Sequence, residues 1–128
     1  MVTSAQVSKT AVGVDIIEIG RIKHAVSRWQ DSFLNRIYTH SELEVSRNIS
    51  SLAARFAAKE AVMKALGTGF RGVSWREIEI LNDADGAPSV RLLGRALQRS
   101  GELGLARFEI SLSHSRKYAI AMVMAHAE

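Results

Sequence analysis

Hydrophobic and polar positions alternate along Ala11-Val12-Gly13-Val14-Asp15-Ile16-Ile17-Glu18, and a period of two predicts a strand that Gly20 ends. The period then lengthens. From Arg21 to Trp29, Ile22, Ala25, Val26 and Trp29 share one side while Arg21, His24 and Arg28 share the other, the pattern of a short amphipathic helix. A second short helix is expected over Ser32–Tyr38. Thr39, followed three residues later by Glu42, forms a capping box that starts a third helix running to about Arg47.

The main helix is predicted over Ser51–Leu66. Ser50 or Ser51 can cap it, alanine and leucine favour it, and Gly67 stands where a left-handed C-terminal cap belongs. Leu52, Phe56, Met63 and Leu66 form its apolar stripe at roughly 100° per residue. Beyond Gly72 the pattern turns to strands, with Arg76, Ile78 and Ile80 facing one way and Trp75, Glu77, Glu79 and Leu81 the other. Asn82-Asp83-Ala84-Asp85-Gly86 reverses the chain and Val90–Leu93 returns it as a hairpin. A helix over Arg95–Leu103, closed by Gly104, precedes alternating Phe108, Ile110 and Leu112. A turn at 114–117 then leads into a last strand, Tyr118–Ala125. Helices packed on a small antiparallel sheet make this an α+β fold, with residues 1–10 a flexible extension and 11–128 one domain.

Composition narrows the chemistry. Among 128 residues there is no cysteine, which removes disulfides, thiolate metal sites and thiol catalysis and suits a reducing compartment. No apolar run approaches the roughly 20 residues of a membrane span, and MVTSAQVSKT has no secretory pattern, so a cytoplasmic protein without membrane partners is expected. The net charge of +4 makes an anionic partner worth considering.

Three places invite a chemical role. Lys59 falls inside the apolar stripe of the main helix, so its stem must pack while its head reaches a partner. Beside it, Glu60 and Lys64 lie one turn apart next to Ala53 and Ala57, an exposed ion pair or a helix face that something approaches. Asp15 stands within the apolar run Val14-Asp15-Ile16-Ile17, either turned outward or partly desolvated and in need of a partner such as a hard cation. Magnesium takes one or two protein carboxylates and completes its shell with water and substrate phosphates. His114, between Ser113 and Ser115, is a turn residue or a donor to phosphate.

Taken in order, Gly13–Ile22, Thr39-His40-Ser41-Glu42-Leu43, Arg55–Gly69, Asn82–Pro88, Ser111-Leu112-Ser113-His114 and Tyr118-Ala119 resemble the holo-acyl carrier protein synthase family of the phosphopantetheinyl transferase superfamily. The set covers nearly the whole chain after Thr10. The resemblance implies transfer of phosphopantetheine from coenzyme A to a serine of an apo acyl carrier protein, releasing adenosine 3′,5′-bisphosphate. It implies that Asp15 and Glu60 hold Mg²⁺ against the coenzyme's pyrophosphate. Arg55, Lys59, Lys64, Gly67 and His114 would meet the coenzyme's phosphates, Lys64 neutralising the leaving diphosphate and Arg55 with His114 facing the ribose phosphate. Either Glu60 or a metal-held water can take the serine proton. A homotrimer with sites at subunit interfaces is implied, with Arg21 and Arg28 of the first helix offered to the acidic carrier. In two places the sequence departs from the family: the segment between Glu42 and Arg55 is short, with Arg47 its one base, and Ala87 replaces a frequent lysine.

Other classes fit less well. A basic nucleic-acid-binding module would use the net charge, yet only 6% of residues are aromatic, too few for a stacking platform, and Asp15 and Glu60 would have no purpose. A magnesium phosphohydrolase would display more carboxylates.

Overall fold

Alternation places the odd residues of β1 (Thr10–Glu18) inward: Gly13 and Ile17 are buried and Asp15 is half-covered, while Val12, Val14 and Ile16 are exposed. The structure, a computed structural model, describes residues 9–68 and 72–127. Residues 1–8 of the expected extension therefore lie outside the described residues. Thr10 already belongs to β1, pairing with His126, and Lys9 accepts a backbone hydrogen bond from Ala127 at 3.0 Å.

Four helices follow: α1 (Ile19–Trp29), α2 (Asp31–Ile37), α3 (His40–Val45) and α4 (Ile49–Leu66). Gly20 lies within α1, because Glu18 already acts as its N-cap residue and nothing crowds Gly20. Trp29 was expected on the apolar side of α1 but is 52% exposed, with His24 edge-on to its ring and the Arg28 guanidinium 5.5 Å from the ring centre. Thr39 caps α3 through the predicted box, while α3 stops short of Arg47. The cap of α4 is Asn48, whose Oδ1 accepts from the amides of Ser50 and Ser51 at 2.9 and 3.3 Å. That leaves both serines inside the helix.

Trp75–Glu77 is a 3-10 turn where a strand was expected. The Glu77 carboxylate accepts from the Ser74 amide at 2.8 Å and from the Arg95 amide at 2.7 Å, which winds this segment and ties it to the next helix. The hairpin follows as β2 (Ile78–Asn82) and β3 (Pro88–Leu92), then α5 (Gly94–Leu103), β4 (Arg107–His114) and β5 (Tyr118–His126). The strands form two antiparallel sheets where one was expected, a three-stranded sheet in the order β1-β5-β4 and the two-stranded β2-β3.

Small residues decide how these pieces meet. The inner face of β5 is Ala119, Ala121, Val123 and Ala125, and Ala53, Ala57, Ala58 and Ala61 of α4 are likewise fully buried. Strand and helix backbones come so close that a methyl at Gly13 would lie 1.8 Å from the Ala61 carbonyl oxygen. The alanines beside Glu60 are thus covered by the protein's own core; they do not form an open approach. Around α4 the core closes with Leu52, Met63 and Leu66, and Phe56 stacks on Trp75 with ring centres 4.7 Å apart.

Candidate active site

The close packing of β1 on α4 brings Asp15 beside two residues of the helix. Lys64 does not pair with Glu60 in the i,i+4 manner the spacing allowed. Its ammonium reaches across to the strand, donating to Asp15 Oδ1 at 3.1 Å and to the Val14 carbonyl at 2.9 Å. Asp15 faces inward, with only 11% of its side chain exposed, which excludes the outward-turned alternative. Glu60 makes no hydrogen bond or ion pair among the described residues. Burial raises the pKa of its carboxyl and the negative charge of Asp15 raises it further, against the opposing pull of Lys64 and Arg21.

Asp15, Arg21, Phe33, Phe56 and Glu60 border a cleft of about 490 Å³. Two carboxylates converge there with fewer compensating contacts than their charge calls for. That donor set fits a hard divalent cation, which takes one or two protein oxygens and leaves the rest of its shell to water and phosphate. Among the described residues no group of three or more ligating side chains exists, so the protein alone would not enclose such an ion.

A second cleft, of about 470 Å³, is bordered by Ser51, Arg55, Asn82 and His114. Arg55 is anchored there by its Nε, which donates to the Ile80 carbonyl at 3.0 Å, while its terminal nitrogens reach the Ser51 hydroxyl and, at 3.4 Å, Asn82 Oδ1. Burial lowers its pKa, a change that the charge of Glu42 and then Tyr38 oppose. His114 is exposed at the end of β4, its Nδ1 3.4 Å from the Ser115 carbonyl. Arg55 and Glu60 are five residues apart, about 140° around a helix, and they border different clefts.

The remaining expected phosphate contacts divide. Gly67 takes the left-handed conformation, φ 69°, and its amide donates to the Lys64 carbonyl; Gly69, the other glycine of that motif, lies outside the described residues. Lys59 requires a correction. It is fully buried, and its ammonium donates to Glu42 Oε1 at 2.7 Å and to the carbonyls of Trp75 and Ile78 at 3.1 and 2.5 Å. An ammonium has three donors, and all three have acceptors inside the protein. Sequence reasoning found the odd lysine and the capping-box glutamate but not that they pair, since 17 residues separate them. It also missed Asn82 and Ser51 as neighbours of Arg55.

The α+β fold thus places two carboxylates with Arg21 at one cleft and an anchored arginine at another, a charge arrangement that suits a polyanionic ligand. The profile of the 4′-phosphopantetheinyl transferase superfamily matches residues 11–123. The holo-(acyl-carrier-protein) synthase of Dehalococcoides mccartyi is 56% identical over 114 residues, covering 88% of this chain and 95% of that protein. That of Herpetosiphon aurantiacus is 52% identical over 120 residues, covering 88% and 94%. The crystal structure of Helicobacter pylori holo-(acyl-carrier-protein) synthase in complex with coenzyme A matches with a TM-score of 0.81 at 33% identity, covering 89% of this chain and 98% of that one. The chain belongs to the holo-(acyl-carrier-protein) synthases of this superfamily.

The Asp15–Glu60 repulsion has a consequence for stability. The pKa of Glu60 is raised in the folded state, so its ionisation opposes folding in full above the folded-state pKa, and the penalty shrinks as pH falls through that value and is gone below the unfolded-state pKa. Glu60→Gln is therefore expected to raise the melting temperature at neutral pH without divalent cations, with the gain vanishing in acid. Thermal unfolding across pH checks this; a variant that melts lower at neutral pH contradicts it.

Proposed function

We propose that this chain transfers the phosphopantetheine group of coenzyme A to a serine of an apo acyl carrier protein with the help of Mg²⁺, releasing adenosine 3′,5′-bisphosphate. One observation carries the reading: Asp15 and Glu60 border one cleft, and the half-exposed Lys64 ammonium sits on Asp15 beside it, where a diphosphate would bind. The family supports it, and the absence of cysteine suits work in the cytoplasm.

In this reading the carrier serine attacks the β-phosphate of coenzyme A, its oxygen forming a bond to phosphorus as the bond to the adenosine-bearing phosphate breaks. Transfer of this kind asks chiefly for position and charge neutralisation. Asp15 and Glu60 would hold the Mg²⁺, which when bound draws charge from the phosphate oxygens. Lys64, more than half exposed at its side chain, is free to leave Asp15 and stabilise the departing phosphate. A base must take the serine proton, and Glu60 Oε or a metal-held water would serve. Arg55, with His114 across the second cleft, meets the ribose phosphate.

The test is the intact mass of an apo acyl carrier protein after incubation with the chain, coenzyme A and Mg²⁺. A gain of one phosphopantetheine is expected, and no gain refutes the activity. Asp15→Ala and Glu60→Ala should each lower kcat/KM by about 10²-fold or more with unchanged circular dichroism; near-normal turnover at low Mg²⁺ removes that residue from the ligand pair.

The active unit in this reading is a homotrimer. Val12, Val14 and Ile16 of β1 and Tyr118, Ile120 and Met122 of β5 are all 40% or more exposed on the sheet face away from α4. So large a contiguous apolar surface marks an interaction site. Sedimentation should give three copies, and an active monomer would overturn the assembly.

The carrier docks on α1 in this reading. Arg21 also borders the Asp15–Glu60 cleft, so Arg28 is the cleaner probe. Complementary charge acts mainly on encounter and orientation. Arg28→Glu should raise the carrier's KM several-fold, and more weakly at high salt, leaving the KM of coenzyme A unchanged; an unchanged carrier KM would mean that Arg28 serves solubility alone.

A further inference from the structure

Among the described residues, strand β2 has a strand neighbour on one side only, β3. Its other edge is closed by charged side chains. The Ile78 and Ile80 carbonyls accept from Lys59 Nζ at 2.5 Å and Arg55 Nε at 3.0 Å, and the Ile80 amide donates to Glu42 Oε2 at 2.9 Å. Glu42 Oε1 takes the Lys59 ammonium at 2.7 Å and the Thr39 amide at 2.8 Å. Glu42 and Lys59 are 0% exposed, so neither offers a surface to coenzyme or carrier.

We propose that Glu42 and Lys59 are positioning residues of the transfer reaction: their buried pair clamps α4 to the open edge of β2 at one roll angle and so aims Arg55 and Glu60 into their separate clefts. The proposal rests on the roles given above to Arg55 and Glu60, and it replaces the phosphate contact expected of Lys59. Arg55 lies one turn before Lys59 and grips the same strand two residues further on. Glu60 is the next residue, about 100° around the axis.

Two physical arguments favour a clamp. Replacing a buried ion pair with well-packed apolar residues is often neutral or stabilising, so such a pair is poorly explained by stability alone. Directional bonds, however, fix rotation in a way that the small, smooth alanines on the opposite side of α4 do not. A side-chain tip about 6 Å from a helix axis moves about 1 Å for a roll of about 10°, and an error of about 1 Å at a reacting group can cost about 10²-fold in rate.

The test compares the wild type, Glu42→Gln, Lys59→Met and the double variant. It measures kcat by carrier mass, the Mg²⁺ concentration giving half activity, adenosine 3′,5′-bisphosphate binding by calorimetry, and the folded fraction by thermal unfolding. Glu42→Gln is expected to lower kcat by about tenfold or more after correction for folded fraction and to raise the half-activating Mg²⁺ concentration. The double variant should be no worse than the weaker single variant, as for two residues acting as one unit. Wild-type kcat in folded Glu42→Gln overturns the proposal. So does a loss of activity that only tracks the folded fraction, or lost bisphosphate binding in Lys59→Met with Glu42→Gln unaffected, which would make Lys59 a phosphate ligand. If Lys59→Met does not fold, Glu42→Gln decides alone, because glutamine retains an acceptor for the ammonium. A wild type that adds no phosphopantetheine refutes the assigned function instead.

Discussion

Burying the Lys59 ammonium obliges the chain to surround it with acceptors, and that obligation organises the neighbourhood of α4. Burial lowers the pKa of this lysine, and the charge and hydrogen bond of Glu42 oppose the shift. Stripping one member from such a pair typically costs about 3–5 kcal/mol, because the other charge stays buried. Glu42 is committed in turn: its backbone amide donates to the Thr39 hydroxyl oxygen of the α3 capping box, and that hydroxyl donates to Glu79 Oε2 at 2.6 Å. Tyr38, whose ring centre lies 5.7 Å from the ammonium, fixes its own hydroxyl on the Leu52 carbonyl at 2.6 Å. Three elements distant in sequence are thereby held by one desolvated charge.

Against this polar side of α4 stands an apolar side made of alanine. The sheet can approach because nothing projects between the backbones, and the approach carries Asp15 to Lys64. The candidate groups fall in two places, with Asp15, Glu60 and Arg21 at one cleft, Lys64 held on Asp15 beside it, and an anchored guanidinium at the other. Coenzyme A likewise concentrates its charge in two places, the diphosphate and the ribose phosphate. In the proposed reading the match is one of charge distribution, not only of net sign.

Much of this was legible in the sequence, for reasons that differ by element. β1, α3 and the end of α4 were readable because each carries a local signal: alternation, a capping box, a glycine at the C-terminal cap. The start of α4 was misplaced because Asn48, Ser50 and Ser51 are all capping residue types, and it is Asn48 that takes the first free amides, those of the two serines. The turn at Trp75–Glu77 was misread because alternation cannot reveal that Glu77 caps two segments at once. In the site, Asp15 stood out as a carboxylate within an apolar run and Glu60 by its spacing from Lys64 beside small residues. Lys59 stood out too, but its partner did not, for a buried pair between α3 and α4 leaves no periodic trace. Glu79 was assigned to the opposite face from Ile78 and Ile80, yet all three are buried, since α3 covers the face that alternation would leave to water.

Gly13 sets a limit of another kind. Where a strand and a helix touch nearly backbone to backbone, every position on the shared face has a ceiling on size, and an enlargement at one is admissible only if a neighbour can shrink to make room. Ala57, Ala61, Ala119 and Ala121 are at or near that minimum. The seam between β1, β5 and α4 can therefore drift in sequence very little, whatever the chemistry at its mouth requires. Room for larger or different side chains is left to the solvent-facing sides of the helices and to the loops.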